Sequence, residues 1–179
     1  MSLFLAEFST DGAGRAELKG WLDRVADAVG RAGGSVVEAQ VAVDLNRVYV
    51  VIEHNSREAA ALAVADVQPP PSDVAEVRLV GTSLEEVKAS KGSGNYLVEW
   101  DLPAGLDMDR YLARKMEKSP LYAQVPEVKF LRTYVREDMA RCLCFYDALD
   151  QDAVVKARQV VQAPVDRLTR VENGRKDAS

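Results

Sequence analysis

The chain is poor in the residues that bind metals and cross-link secreted folds. Its 179 residues include one histidine, His54, and two cysteines, Cys142 and Cys144. Zinc sites built from several His and Cys ligands are thereby nearly excluded, and so is a disulfide framework. No apolar run reaches the roughly 18 residues that a membrane-spanning helix needs, and the start is too short and too acidic for a signal peptide. Positive charge is scarce as well. With 23 Lys and Arg against 28 Asp and Glu, the net charge is -5, and no basic cluster stands out. Nucleic acid, whose binding is driven by phosphate neutralisation, is therefore not an expected partner. Neither a glycine-rich phosphate loop nor a Ser/His/Asp motif is present. What is there is an ordinary globular composition, 47% hydrophobic, which sets aside disordered and collagen-like architectures. A cytoplasmic location is the expectation.

The informative feature is a repeat. Phe4-Leu-Ala-Glu-Phe8 parallels Tyr96-Leu-Val-Glu-Trp100 at an offset of 92. Arg47-Val-Tyr-Val-Val-Ile-Glu53 parallels Arg141-Cys-Leu-Cys-Phe-Tyr-Asp147 at 94, and residues 74–80 parallel 165–171 at 91. Both halves present their elements in the same order. In the first, a strand at Leu3–Phe8 precedes a helix over 15–31, whose Leu18, Trp21, Leu22, Val25 and Val29 recur at helical spacing. Gly33-Gly34 ends that helix. Two β-branched strands, 36–43 and 47–53, flank the turn Asp44-Leu-Asn46. Ser56 caps a helix over 57–67, and a last strand runs over 74–80. The second half repeats this with strands at 95–100, 127–136, 140–147 and 165–172. Its helices lie at 107–118, capped by Asp107 or Asp109, and at 151–161, capped by Asp150.

The fold class is thus α+β: two tandem ferredoxin-like β-α-β-β-α-β repeats. Repeat 1 spans 1–81, a polar linker 82–94, repeat 2 95–173 and a frayed tail 174–179. Strand alternation places Tyr96, Val98 and Trp100 opposite Leu97, Glu99 and Asp101, and Phe130, Arg132 and Tyr134 opposite Leu131, Thr133 and Val135. Both faces carry apolar residues, so neither is expected to be solvated. The favoured arrangement packs the two sheets on each other, as in a fused dimeric α/β barrel. Halves that each pair with another subunit are the alternative.

The second half resembles a family of small bacterial ferredoxin-like proteins, a domain of unknown function whose best characterised type is nickel-binding and nickel-responsive. The resemblance rests on Tyr96-Leu-Val-Glu-Trp-Asp-Leu-Pro103 and Val128-Lys-Phe-Leu-Arg-Thr-Tyr-Val135. It continues through Cys142-Leu-Cys-Phe-Tyr-Asp-Ala148, Ala153-Val154 and Ala163-Pro-Val-Asp166. It implies the fold and, in the nickel-binding type, histidines on and just after the first strand. Here Trp100-Asp-Leu-Pro103 stands in that place. With His54 alone, an imidazole-rich nickel site cannot be assembled, so neither metal nor cofactor is expected.

Six residues are candidates for a ligand site: Glu7, Glu99, Arg132, Tyr134, Cys144 and Tyr146. Glu7 and Glu99 hold equivalent places on central strands, where an unpaired charge is expensive. Arg132, Tyr134 and Tyr146 are potential partners. The set can line a cleft for an anionic or hydroxylated ligand, or form a structural ion pair. Cys142 and Cys144 share one side of a strand, as a soft-metal or redox pair or as small buried hydrophobes. His54 reads as an exposed loop residue. No catalytic residue is assigned. The function read from the sequence is a small-molecule or metal-ion binding module. The alternative is a cofactor-independent α/β-barrel enzyme using Glu99, Tyr134 or Tyr146, and a homo-oligomer formed through sheet faces or edges ranks third.

Overall fold

The computed structural model describes residues 1–175. The chain forms two units. The first comprises residues 1–77, 83–93 and the described residues from Val171 on; the second comprises 78–82 and 94–170. Each is an antiparallel sheet carrying helices on one face.

In the first unit, β1 (Ser2–Ser9) lies between β3 (Arg47–His54) and the start of β4 (Asp73–Val80). β2 (Ser35–Ala42) lies on the far side of β3, and the end of β8 (Arg167–Asn173) pairs with it. α1 (Arg15–Arg31) and α2 (Arg57–Val64) cover one face. The apolar stripe of α1 explains its seat: Leu18, Trp21, Leu22, Val25 and Val29 are all buried, against Phe4, Ala6 and Phe8 of β1. Trp21 meets Phe8 edge-on, their centroids 4.7 Å apart. Ser56 accepts a hydrogen bond from the Ala59 amide and starts α2. Gly33, with φ +85°, follows the C-cap of α1 in the left-handed conformation that glycine adopts without a Cβ penalty.

The second unit repeats the plan. β5 (Tyr96–Asp101) lies between β7 (Arg141–Ala148) and β8, and β6 (Val128–Arg136) pairs with β7. α4 (Met108–Lys118), continued by a 3₁₀ turn over Ser119–Gln124, and α5 (Gln151–Val160) cover one face. Asp107 and Asp150 accept from the amides of Arg110 and Ala153 and cap the two helices.

Three features depart from the sequence reading. Residues 82–94, taken as a polar linker, contain helix α3 (Leu84–Ser90), begun by a reciprocal Ser83–Glu86 capping box. Lys88 ties it to Glu53 of β3 at 2.8 Å. His54 is buried rather than exposed: it ends β3, its Nδ1 accepts from the Asn55 amide (2.8 Å), and its Nε2–H therefore donates to the Ala32 carbonyl (3.0 Å). Third, β6 carries a bulge between Phe130 and Arg132. A bulge inserts a residue and turns the following side chains over. Phe130 consequently joins the helix-side core with Val135 and Cys144, while Arg132 and Tyr134 point to the opposite face. The first unit has the equivalent bulge between Val36 and Glu38. Of the tail expected to fray, 174–179, residues 176–179 lie outside the described residues. Gly174 donates its amide to the Ala39 carbonyl.

Gly92, just after α3, sits at φ +68°, and a Cβ there would come within 2.6 Å of Glu38 Cβ. Gly12 has φ +83° with open space around it. Gly12→Ala should therefore lose only the left-handed penalty of about 1–2 kcal/mol, and Gly92→Ala clearly more. Equal losses in denaturant unfolding would remove the steric argument.

Candidate functional site

On the face of the second unit that meets its helices, strand alternation delivers Cys142, Cys144 and Tyr146 from β7 and Thr133 from β6. From α5 the Arg158 side chain enters among them, only 2% exposed. Its guanidinium donates to Tyr146 Oη at 3.1 Å, to Cys144 Sγ at 3.5 Å and to the Pro164 carbonyl at 2.6 Å. None of these partners is a carboxylate, and Arg158 Nε is buried with no hydrogen-bond partner among the described residues. A buried charge without an ion-pair partner is costly, so the groups around it must respond. Cys144 Sγ also accepts from Thr133 Oγ1 at 3.1 Å. Hydrogen bonding from Cys142, helped by the charges of Lys115 and Arg158 and by Thr133, holds the Cys144 thiol well below its ordinary range despite burial. The same hydrogen bond, with burial, pushes Cys142 up. Burial raises Tyr146 well above an ordinary phenol and Tyr122 to about 12. The two phenols share a 2.6 Å hydrogen bond. Of the acidic groups facing Arg158, Cys144 is the one whose pKa is lowered.

Outside this cluster lies a small cavity of ≈ 30 Å³, lined by Trp100, Tyr111, Tyr122, Ser119, Arg158 and three further cations, Arg114, Lys115 and Lys118. Among the described residues no carboxylate lines it. Arg114 lies over Trp100 at 5.9 Å and reaches the Gln162 carbonyl; Lys115 lies over the Phe130 ring at 4.2 Å. Ring faces and carbonyls hold these cations without neutralising them. Lys118 alone has an acid beside it, Glu117 at 3.7 Å. The result is a concave, positively charged site.

The six residues singled out from sequence are distributed over three places. Cys144 and Tyr146 belong to the Arg158 cluster. Glu99, Arg132 and Tyr134 lie on the other face of the same sheet. There Glu99, with its side chain 1% exposed, is held by Arg141 at 2.5 Å and Arg167 at 3.2 Å. Arg132 stacks 4.6 Å from the Phe145 ring. Glu7 lies in the first unit, its carbonyl accepting from Ser72. Arg158, Tyr111, Tyr122 and the rim cations escaped the sequence reading. A helix-borne arginine reads as solvent-facing unless its side of the helix is checked: Ala153, Val154 and Ala157, all buried, mark that side. Glu38 and Gln40 were missed as well, though the offset of 94 maps them onto Arg132 and Tyr134.

Residues 96–171 match a known family, described as nickel-responsive protein, SCO4226-like. The second repeat is similar to that family. The first repeat lies outside the match. No curated protein matches the chain. Among solved structures, a protein described as a chlorite dismutase, TA0507, aligns with TM-score 0.58 and 11% identity over 98% of this chain and 97% of its own. A protein described as a monooxygenase, from Lactobacillus acidophilus NCFM, aligns at 0.54 and 9% identity, covering 97% and 93%. An anthrone oxidase-like protein aligns at 0.53 and 14%, covering 99% and 95%. At such identities these likenesses show the fold and no activity.

The residues present do not suit a nickel ion. Both nitrogens of His54 are engaged, and Cys144 Sγ faces the Arg158 cation, which would oppose a second positive charge. Among the described residues no group of three or more His, Cys, Asp or Glu side chains is placed to hold a metal. No helix there is long and apolar enough to cross a membrane.

A lowered Cys144 pKa beside Arg158 has a measurable consequence. Absorbance near 240 nm should show one thiolate persisting below the ordinary thiol pKa of about 8.5. Cys144→Ser should abolish it, and Arg158→Met should move its titration upward. Because the folded value is depressed, the stabilisation is complete above the unfolded pKa and is lost as pH falls through the folded one. A wild-type signal that titrates in the ordinary thiol range would refute the pairing.

Proposed function

We propose that the chain is a small-molecule-binding module of two fused ferredoxin-like repeats, whose second repeat captures a small anion in the pocket between α4, the 3₁₀ turn and α5. The observation that carries this reading is Arg158: a buried guanidinium with no carboxylate partner and an unpartnered Nε, at the base of a cavity ringed by further cations. The small volume suits an oxyanion or a short carboxylate better than a cofactor, for which pockets run to several hundred Å³. Four cations and no acid give the pocket a local potential opposite in sign to the net charge of the chain. Tyr122 adds a hydroxyl that can donate to the ligand, whereas the Ser119 hydroxyl is committed to the Lys115 carbonyl at 2.6 Å.

In this reading Cys144 and Tyr146 support the site through Arg158. Glu99, Arg132 and Tyr134, on the opposite sheet face, and Glu7, in the first unit, take no part in it. The sheet faces that carry no helices are buried as well. Leu5, Tyr49 and Val51 in one unit and Leu97, Leu143 and Phe145 in the other are all buried.

Calorimetric titration with inorganic phosphate and with acetate tests the proposal. One of them should bind with one site per chain and raise the thermal midpoint. Lys115→Gln and Lys118→Gln, on half-buried side chains that the fold can spare, should each weaken binding about tenfold, the cost of a charge-assisted hydrogen bond. Affinity should also fall as salt rises. Absence of binding by both anions, or unchanged affinity in both variants, would defeat the reading.

A further inference from the structure

The first unit has a pocket of its own at the corresponding place. It lies where the loop after β1 and the first turns of α1 meet the segment after α2, and its volume is ≈ 310 Å³. The correspondence follows the repeat: Trp21 of α1 matches Arg114 of α4 at an offset of 93, and Gln68-Pro69 matches Ala163-Pro164 at 95. Its chemistry differs. Where the other site gathers four cations, this one offers a single cation, Arg24, with two carboxylates, Asp11 and Glu17, and the amide of Gln68. Its wall also contains the indole of Trp21, which is 3% exposed and whose Nε1 has no hydrogen-bond partner among the described residues. An indole nitrogen only donates, and a buried donor left unpaired costs free energy that an acceptor in the pocket would recover. The pocket also borders the N-terminus of α1, whose cap, Gly14, has no side chain to accept from the first-turn amides and donates its own amide to Glu17 Oε2 at 3.4 Å.

We propose that this pocket is a second, independent ligand site, for a small zwitterion carrying a carboxylate and an ammonium group, of the amino-acid type. The carboxylate takes the Trp21 Nε1–H and the Arg24 guanidinium, and the ammonium faces Asp11 and Glu17. The volume lies at the lower end of the roughly 300–1,000 Å³ of small-molecule pockets, which suits a compound of that size. The mixed charge disfavours a simple anion, so the two repeats have diverged in ligand class while keeping the location.

The chain contains two tryptophans, Trp21 and Trp100, one at each pocket. Their two indole N–H cross-peaks in a proton–nitrogen correlation spectrum of the full chain therefore report on the sites separately, with Trp21→Phe giving the assignment. The probes are the standard amino acids, first as a mixture and then singly, with acetate and methylammonium as half-ligand controls. The Trp21 peak should move and saturate with at least one amino acid at ~1 mM or below, while the Trp100 peak stays in place. Arg24→Gln and the double variant Asp11→Asn, Glu17→Gln alter exposed side chains only and should each weaken the response about tenfold. The proposal is overturned if no amino acid moves the Trp21 peak, or if acetate alone moves it as strongly as the zwitterion. Movement confined to the Trp100 peak would likewise reject this site, while leaving the anion site of the second repeat standing.

Discussion

Much of the second unit depends on where one positive charge has been put. Arg158 reaches from α5 to β7 and to the Pro164 carbonyl, joining a helix, a strand and a loop through one side chain. Burying that charge among apolar groups would be prohibitive without compensation. A carboxylate would be the usual remedy, and none is in contact among the described residues. The compensation comes from hydrogen bonds to a thiol sulfur, a phenol and a backbone carbonyl. The same placement ties the buried Tyr146 phenol, itself bonded to the half-buried Tyr122 hydroxyl, to the helix. It also leaves an unpartnered guanidinium nitrogen beside a cavity. The rim cations add to its field, which only Glu117 beside Lys118 offsets among the described residues.

The repeat, the order of its elements and three of the helix caps were legible in the sequence because each depends on local chemistry. Ser56, Asp107 and Asp150 are short polar side chains immediately before a helical pattern, and each makes the capping bond. What could not be read was decided at longer range. The bulge after Phe130 has no residue signature, yet it sends Phe130 to one face and Arg132 to the other, dividing residues that strict alternation had grouped. His54 looks like a loop residue until the Ala32 carbonyl closes over it. Helix α3 is seven polar-rich residues, marked as structure by its capping box, the Lys88–Glu53 pair and the burial of Val87. The candidate site suffered most. Cys144 and Tyr146 were found, but the arginine that gives them a role lies on an element where arginine ordinarily faces water.

Glu99 shows the converse. It is as buried as Arg158, but two arginines meet it, and one of these, Arg167, also holds Asp101 at 2.5 Å and 3.0 Å. Its charge is answered within the fold, so removing one partner would strand the others at a cost of about 3–5 kcal/mol. A ligand would gain little from approaching such a group. The distinction between a structural and a functional buried charge is thus whether the protein itself completes the coordination. By that criterion the charge of Glu99 is answered within the architecture and that of Arg158 is not, though sequence position had favoured the glutamate. The same criterion sets apart Trp21 in the first repeat, whose donor the fold leaves incomplete beside a larger cavity. Duplication supplied two copies of one location. Substitution of Trp21 for Arg114, and of acidic for basic rims, gave each copy its own chemistry, so a ligand found for one repeat does not predict the ligand of the other.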